Sequence, residues 1–283
     1  MTINLIENSH GKSHIRLLKV NRYSDRHDLK DLTISIAFEG DYQAAYCQGD
    51  NRKVLPTDTM KNTAYVLAKE HPLEEIEGFG VILADHFLRN DSHVSRIQIE
   101  ISEDLWTGID VAGKPHPHSF ARAGSEKRTA VISGGRGGIE IHSGISGLQV
   151  LKTTQSGFEG FLENPYTTLQ ETSNRLLKTT IQADWIYNAP NLACTRIWKD
   201  VRQVLTEVFA EHNSYSVQHT LYAMGQAVLE SFGEIKEIHL SLPNHHCTLF
   251  DLSPFGMENQ NEVFVAVDLP FGLIEATMRR GVS

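Results

Sequence analysis

The sequence predicts an α+β protein of two tandem modules, each an antiparallel sheet backed by a pair of helices. Three observations lead there. Short stretches alternate apolar and polar residues, the period of a half-buried strand. Others carry apolar residues at four-residue steps, the period of an amphipathic helix. The order strand-strand-helix-helix-strand-strand occurs twice, on either side of the glycine-rich break Ser133-Gly134-Gly135-Arg136-Gly137-Gly138. The break is read as an inter-module hairpin, with module one over residues 1–136 and module two over 137–283.

In module one, residues 14–20 alternate as a strand. Residues 31–40 alternate more cleanly, with Leu32, Ile34, Ile36 and Phe38 on one face, and pair with the first strand as a hairpin. Residues 42–46 read as an extension of that second strand. From Thr57 to Glu70 the period turns helical, with Met60, Ala64, Leu67 and Ala68 on one stripe, and His71-Pro72 ends the run. A second helix covers 76–88, followed by strands at 94–101 and 120–132. In module two, strands are read at 139–151 and 175–187, helices at 194–212 and 217–232, and strands at 235–242 and 263–269. The order of elements repeats without a residue-level repeat. Strands with many polar residues on one face imply that this face meets water, a cavity or another subunit.

The start of the first helix, at Leu55-Pro56-Thr57-Asp58-Thr59, is the stretch around which the functional reading is organised. Pro56 pre-sets a turn, and Thr57, Asp58 and Thr59 are all N-cap residue types. Free backbone N–H groups and the positive end of the helix dipole suit an anion there. An ordinary cap is the plain alternative, and taken alone the stretch favours it.

Bulk properties exclude several function classes. The 283 residues carry a formal net charge of -9, with Lys and Arg outnumbered and unclustered, which argues against a nucleic-acid partner. No apolar run approaches the length of a membrane span, so no membrane partner is expected. The first residues lack the basic and apolar regions of a signal peptide, and Gly281-Val282-Ser283 is not a peroxisomal address. Cys47, Cys194 and Cys247 are odd in number and far apart, which predicts a reducing compartment, most simply the cytoplasm.

Gly134–Gly138 lacks the pattern of a phosphate loop. His116-Pro117-His118 and His245-His246-Cys247 invite a metal reading, but neither has a ligand spacing of an established zinc site. For His116 and His118 a buried hydrogen-bonded loop is favoured over ligation. Lys12, beside Gly11, is an ordinary surface charge unless the fold brings it to Thr57, where an ammonium–hydroxyl pair can trade protons. Phe158, between Gly157 and Glu159-Gly160, is a core lid or a stacking platform for a flat ring, and composition alone favours the core. Arg175, read as opening a strand, is a surface ion pair or a fork for two acceptors of a heterocycle. Gln218 follows Ser214 and Ser216 at a helix start, a plain cap-adjacent position.

Several spaced motifs together resemble the uricase (urate oxidase) family. They are Thr57-Asp58-Thr59-Met60-Lys61-Asn62-Thr63, Gly113-Lys114-Pro115-His116-Pro117-His118-Ser119-Phe120, Ser146-Gly147-Leu148-Gln149-Val150-Leu151-Lys152-Thr153-Thr154 and Ser156-Gly157-Phe158-Glu159-Gly160-Phe161. Tyr166-Thr167-Thr168-Leu169-Gln170-Glu171-Thr172 before Arg175, Ser216-Val217-Gln218 and Leu242-Pro243-Asn244-His245-His246 complete the set, which spans nearly the whole chain. The resemblance implies the tunnelling fold: tandem sheet-and-helix modules, two chains closing a barrel, and a homotetramer with sites at subunit interfaces.

It further implies oxidation of urate by dioxygen and water to 5-hydroxyisourate and hydrogen peroxide, with no metal or organic cofactor. By matched position, Phe158 stacks on the purine, Arg175 and Gln218 grip its polar edge, the Val217 backbone adds a hydrogen bond, and Leu169 lines the pocket. Lys12 and Thr57 form a proton relay, delivered with Asp58 from a neighbouring subunit. Asn244 holds dioxygen or the attacking water, and His246 extends the relay. The absent peroxisomal tripeptide points to a bacterial, cytoplasmic member, and His245 is an extra titratable ring beside His246. Two alternatives stand beside this reading: a metal-dependent pterin or purine hydrolase on the same fold, and a non-catalytic purine-binding oligomer.

Overall fold

In the computed structural model, residues 3–190 and 192–281 are described. Met1, Thr2, Val282 and Ser283, on which part of the targeting reading rests, lie outside them. The chain divides into two units. The first comprises Met1–Gly144 with Ile186–Arg196, and the second Ile145–Trp185 with Ile197–Ser283.

The first unit holds β1 (His10–Arg22), β2 (His27–Gly40), α1 (Gln43–Gln48), α2 (Thr57–Glu70), α3 (Ile76–Asn90), β3 (Val94–Val111) and β4 (Lys114–Gly135). Neighbouring strands pair antiparallel in chain order, β1 with β2, β2 with β3 and β3 with β4. The alternation on β2 works as expected, burying Leu32, Ile34, Ile36 and Phe38. Ile97, Ile99, Ile101 and Ile132 extend that apolar face across β3 and β4. The stripe Met60, Ala64, Leu67 and Ala68 of α2 covers it, as do Phe79, Leu83 and Phe87 of α3. Each fully buried aliphatic or aromatic side chain here contributes about 1.5–3 kcal/mol.

The elements β5 (Gly138–Lys152) and β6 (Leu177–Tyr187) run largely in the second unit, which also holds α4 (Cys194–Glu211), α5 (Val217–Ser231), β7 (Ile235–Leu249) and β8 (Phe264–Arg279). Its core is Ile181, Ala183 and Trp185 of β6, Ile197, Val201 and Leu205 of α4, Leu221, Met224 and Val228 of α5, and Leu240 and Leu242 of β7. No helix among the described residues is long and apolar enough to cross a membrane.

The helices match the sequence expectation closely, and α2 matches it residue for residue. The strands are longer than expected, because polar residues continue the ladders after the apolar alternation stops. Residues 42–46 correct the expectation of an extended strand. They fall largely in α1, because β3 begins opposite Gly40 at Val94 and offers no partner for a longer β2. His116 and His118 lie on β4, not in a buried loop, and their rings meet edge to face at 4.3 Å.

A residue-level repeat, invisible in the sequence, appears at the helix C-termini. Lys19 at the end of β1 donates to the Ala68 and His71 carbonyls at the end of α2, at 2.6 and 2.7 Å. Lys152 at the end of β5 does the same for α4, reaching the His212 carbonyl at 2.6 Å and that of Phe209 at 3.3 Å. Arg136, just after β4, donates to the Asp91 carbonyl past α3 at 2.9 Å. Arg280, just after β8, donates to Phe232 past α5 at 3.0 Å. Each cation meets orphan carbonyls at the negative end of a helix dipole.

Candidate active site

Lys12 owes its direction to an irregularity in β1. Lys12 pairs with Ile36 and Ile15 pairs with Ile34, so the ladder absorbs an extra residue between them, with His14 at φ 56°. Ile34 and Ile36 both point to the helices, and residues paired across an antiparallel ladder share a face. Lys12 therefore points to the helix side, as His10 does opposite Phe38. Gly11 allows this register. A Cβ there would lie 2.0 Å from the Ile36 carbonyl oxygen and 2.8 Å from the Ala37 Cα. Gly11→Ala should therefore push β1 off β2, costing about 1–3 kcal/mol and displacing Lys12. A lower denaturant midpoint together with reduced turnover is the expected result, and an unchanged midpoint would refute it.

Thr57 is the first residue of α2, but the expected side-chain cap does not form. The N-cap is Pro56, whose carbonyl accepts from Thr59 N–H at 2.9 Å. The Thr57 hydroxyl is thus left for other work. Asp58 pairs with Lys61 and accepts from the Asn62 side-chain amide at 3.1 Å. Its carboxyl is held below the usual range, first by the Lys61 hydrogen bond and also by the charge of Lys12. His10, which the sequence gave no reason to single out, bonds the Leu55 backbone, and burial lowers its pKa.

In the second unit a cavity of about 970 Å³ is lined by Phe158, Leu169, Arg175 and His246, with Thr172, Asn174, Cys247 and Phe264 among the rest. Its floor is built by backbone pairing. Gly157 N–H donates to the Ser214 carbonyl at 2.8 Å, and Ser214 N–H to Gln155 at 2.9 Å. Phe158 and Thr172 exchange two backbone hydrogen bonds at 2.7 and 3.2 Å. Arg175 N–H donates to the Ser156 carbonyl at 2.7 Å, so Arg175 stands ahead of β6, correcting the expectation that it opens the strand.

Phe158 is half-buried and lines the cavity, so the core reading favoured by composition does not hold. Phe161 stacks on it with centroids 5.0 Å apart and planes at 15°. The Arg175 guanidinium lies 5.4 Å from the Phe158 ring centroid. Arg175 Nε is buried without a hydrogen-bond partner, and burial lowers the guanidinium's pKa. A half-buried guanidinium whose buried Nε lacks a partner, beside an aromatic face, has the chemistry to bind a flat anion.

The histidine pair is separated by the fold. His245 bonds the Thr180 hydroxyl at 3.1 Å and meets Phe271 edge-on, whereas His246 faces the cavity. Neighbouring positions along β7 point to opposite faces, which parts the two rings. Cys247 also lines the cavity, a role no spacing indicated. Val217 and Gln218 start α5, where Ser216 is a true N-cap, accepting from His219 N–H at 3.1 Å. Ser214, two residues earlier, ties that start to the Phe158 loop. Among the described residues no group of three or more His, Cys, Asp or Glu gathers as a metal site.

The family model for uricase matches residues 8–133 and 141–275. The uricase of Arthrobacter globiformis is 43% identical over 274 residues, covering 97% of this chain and 89% of that one. The uricase of Aspergillus flavus is 38% identical, covering 96% and 95%. The crystal structure of the Arthrobacter globiformis uricase superimposes with a TM-score of 0.96 at 42% identity, covering 100% of this chain and 97% of that one.

Proposed function

Since the chain belongs to the uricase family and is an oxidoreductase acting on urate, we propose that the Arg175–Phe158 cavity is its urate pocket. Lys12 and Thr57 serve as its proton relay. The observation that carries this assignment is the buried, unpartnered Arg175 Nε beside the Phe158 ring. Urate is a flat, electron-rich anion. The guanidinium meets its charge, Gln218 and the Val217 N–H meet its polar edge, and the ring face is covered by Phe158 with Leu169 alongside.

The relay removes a proton from bound urate. Thr57 Oγ passes it to Lys12, whose amine takes the proton in its neutral form, with Asp58 favouring the ammonium so formed. The urate dianion is a strong enough donor to give electrons to dioxygen without a metal or organic cofactor. Oxygen leaves as hydrogen peroxide after taking two electrons and two protons, and water adds to the oxidised ring as 5-hydroxyisourate. Asn244 holds the dioxygen or the water, and His246 on the cavity wall extends the proton path.

The working form is a homotetramer, in which Lys12, Thr57 and Asp58 of one subunit complete the cavity of another. Apolar residues left exposed on β8, including Leu269, Phe271 and Leu273, support burial by a second chain. The free state of Cys47, Cys194 and Cys247 suits a reducing, cytoplasmic setting.

Arg175→Leu tests the pocket. Loss of a charge-assisted contact should raise KM for urate roughly 10- to 100-fold, read from oxygen uptake and the fall of the urate absorbance. An unchanged KM would remove Arg175 from the pocket and the assignment with it.

A further inference from the structure

The loop between α4 and α5 presents two histidines that the scheme above does not use. His212 is the first residue after α4, and His219 lies in the first turn of α5. His212 Nε2 and His219 Nδ1 face each other at 3.1 Å, with ring centroids 4.3 Å apart and planes at 63°. The backbone at both positions is fixed, and one ring is packed. The His212 backbone N–H donates to the Val208 carbonyl at 2.9 Å, the His219 backbone N–H to Ser216 Oγ at 3.1 Å, and Tyr215 stacks on the His219 ring with centroids 5.4 Å apart.

We propose that His212 and His219 form a two-imidazole binding site for a borderline divalent transition-metal ion, with Cu²⁺ preferred over Zn²⁺ and Ni²⁺. Imidazole nitrogens sit about 2.0–2.1 Å from such ions, so two ligands on one ion stand about 3.3 Å apart at a tetrahedral angle and about 2.9 Å at a right angle. The observed 3.1 Å lies between these, so the nitrogen separation suits one ion, which enters once the rings turn their lone pairs off the line between the nitrogens. In the neutral pair one of the facing nitrogens carries the shared proton. A tautomer change moves that proton to the ring's outer nitrogen, through solvent, and frees both inner lone pairs without a net change in protons.

The surroundings permit this. Burial, then the neighbouring His219 and Lys152, lower the His212 pKa, a direction that favours the neutral ring. Lys152 is the cation opposing the ion, and its ammonium is committed to the Phe209 and His212 carbonyls. No third His, Cys, Asp or Glu joins the pair among the described residues, so water fills the remaining positions and the ion stays exchangeable. The preference among ions follows the Irving–Williams order for nitrogen ligands. His116 and His118 offer no comparable site, because His116 Nδ1 is aimed at the His118 backbone N–H at 3.4 Å.

An ion here would clamp the turn that carries Ser214 and opens on Val217 and Gln218. A change in KM for urate on metal binding follows only if the pocket assignment above is right; the binding itself does not depend on it. The test is calorimetric titration of the chelator-treated protein with CuCl₂ and, separately, ZnCl₂. One ion per chain is expected, with Cu²⁺ tighter. His212→Gln and His219→Gln should each weaken binding by at least about tenfold and remove nitrogen hyperfine splitting from the Cu²⁺ electron paramagnetic resonance spectrum. His116→Gln should leave both unchanged. Thermal unfolding and urate turnover of the metal-free variants should match the parent, which separates ligand loss from collapse of the turn. Saturable binding that survives in both variants, or no saturable binding in the parent, overturns the proposal.

Discussion

Thr57→Val should lower kcat by about 10²- to 10⁴-fold, the range expected for removing a positioned proton-transfer group. The substitution is nearly isosteric, and the hydroxyl it removes does not hold the helix. Pro56 is the N-cap of α2, and no side-chain cap is lost. Stability should stay within about 0.5 kcal/mol of the parent. Binding of a purine inhibitor should change little, because the charge and the aromatic face lie on Arg175 and Phe158. Lys12→Met should produce a loss of the same order, and combining the two should add little if they act as one relay. Oxygen uptake gives kcat, and inhibitor titration gives binding. Turnover within a few-fold of the parent would remove Thr57 from the relay, and equal loss of turnover and binding would indicate pocket collapse instead.

Arg128→Met should destabilise the protein by about 3–5 kcal/mol, the cost of leaving one member of a buried ion pair uncompensated. Arg128 and Glu77 are only 3% and 1% exposed. The guanidinium pairs with Glu77 and donates to Thr195 Oγ1 at 2.9 Å. The Ser143 hydroxyl donates to the same carboxylate, and the Tyr187 hydroxyl to Ser143 at 3.1 Å. Thr195 N–H reaches Glu75 at 3.0 Å. Burial and the two glutamates push the neighbouring Cys194 thiol up to about 12, so it stays protonated and inert. Removing the arginine strands the Glu77 carboxylate in this enclosure. The double variant Arg128→Met with Glu77→Leu should recover much of the loss, since no charge then remains buried. Denaturant midpoints measure both, and a single-variant loss below about 1 kcal/mol would show that water or another cation relieves the carboxylate.

These two sites differ in how readable they were. The Thr57 stretch announces itself, because a proline followed by three capping residues can be little else than a helix start. What it does not announce is that the cap goes unused, which depends on the Pro56 conformation. Glu77 and Arg128 are ordinary charges in the sequence, and Ser143 and Tyr187 carry no motif. Their meeting depends on contacts between residues far apart in the chain.

The candidate pocket shows the same division. Phe158, Leu169, Arg175 and His246 were named from spaced motifs, with His246 set apart from His245 by the Pro-Asn-x-His spacing, yet the motifs gave Cys247 no role. In space, alternation along β7 and the Thr180 bond to His245 separate the two rings. Lys12 was ambiguous until the irregularity after it set its face. Bulges and register shifts have no composition of their own, so periodicity passes over them.

By itself, then, the sequence determined the four long helices, the cores of the strands and the residue types from which a site for a flat anion is made, and it missed the short helix α1. Burial periodicity and local backbone preference are properties of neighbours along the chain, and they are legible there. The tertiary structure alone decided which way Lys12 faces, that Cys247 lines the cavity, and which cations close the four helix ends at Lys19, Arg136, Lys152 and Arg280. Those depend on ladder register and on distances across space, and a single hydrogen bond to a carbonyl leaves no periodic trace in the chain that makes it.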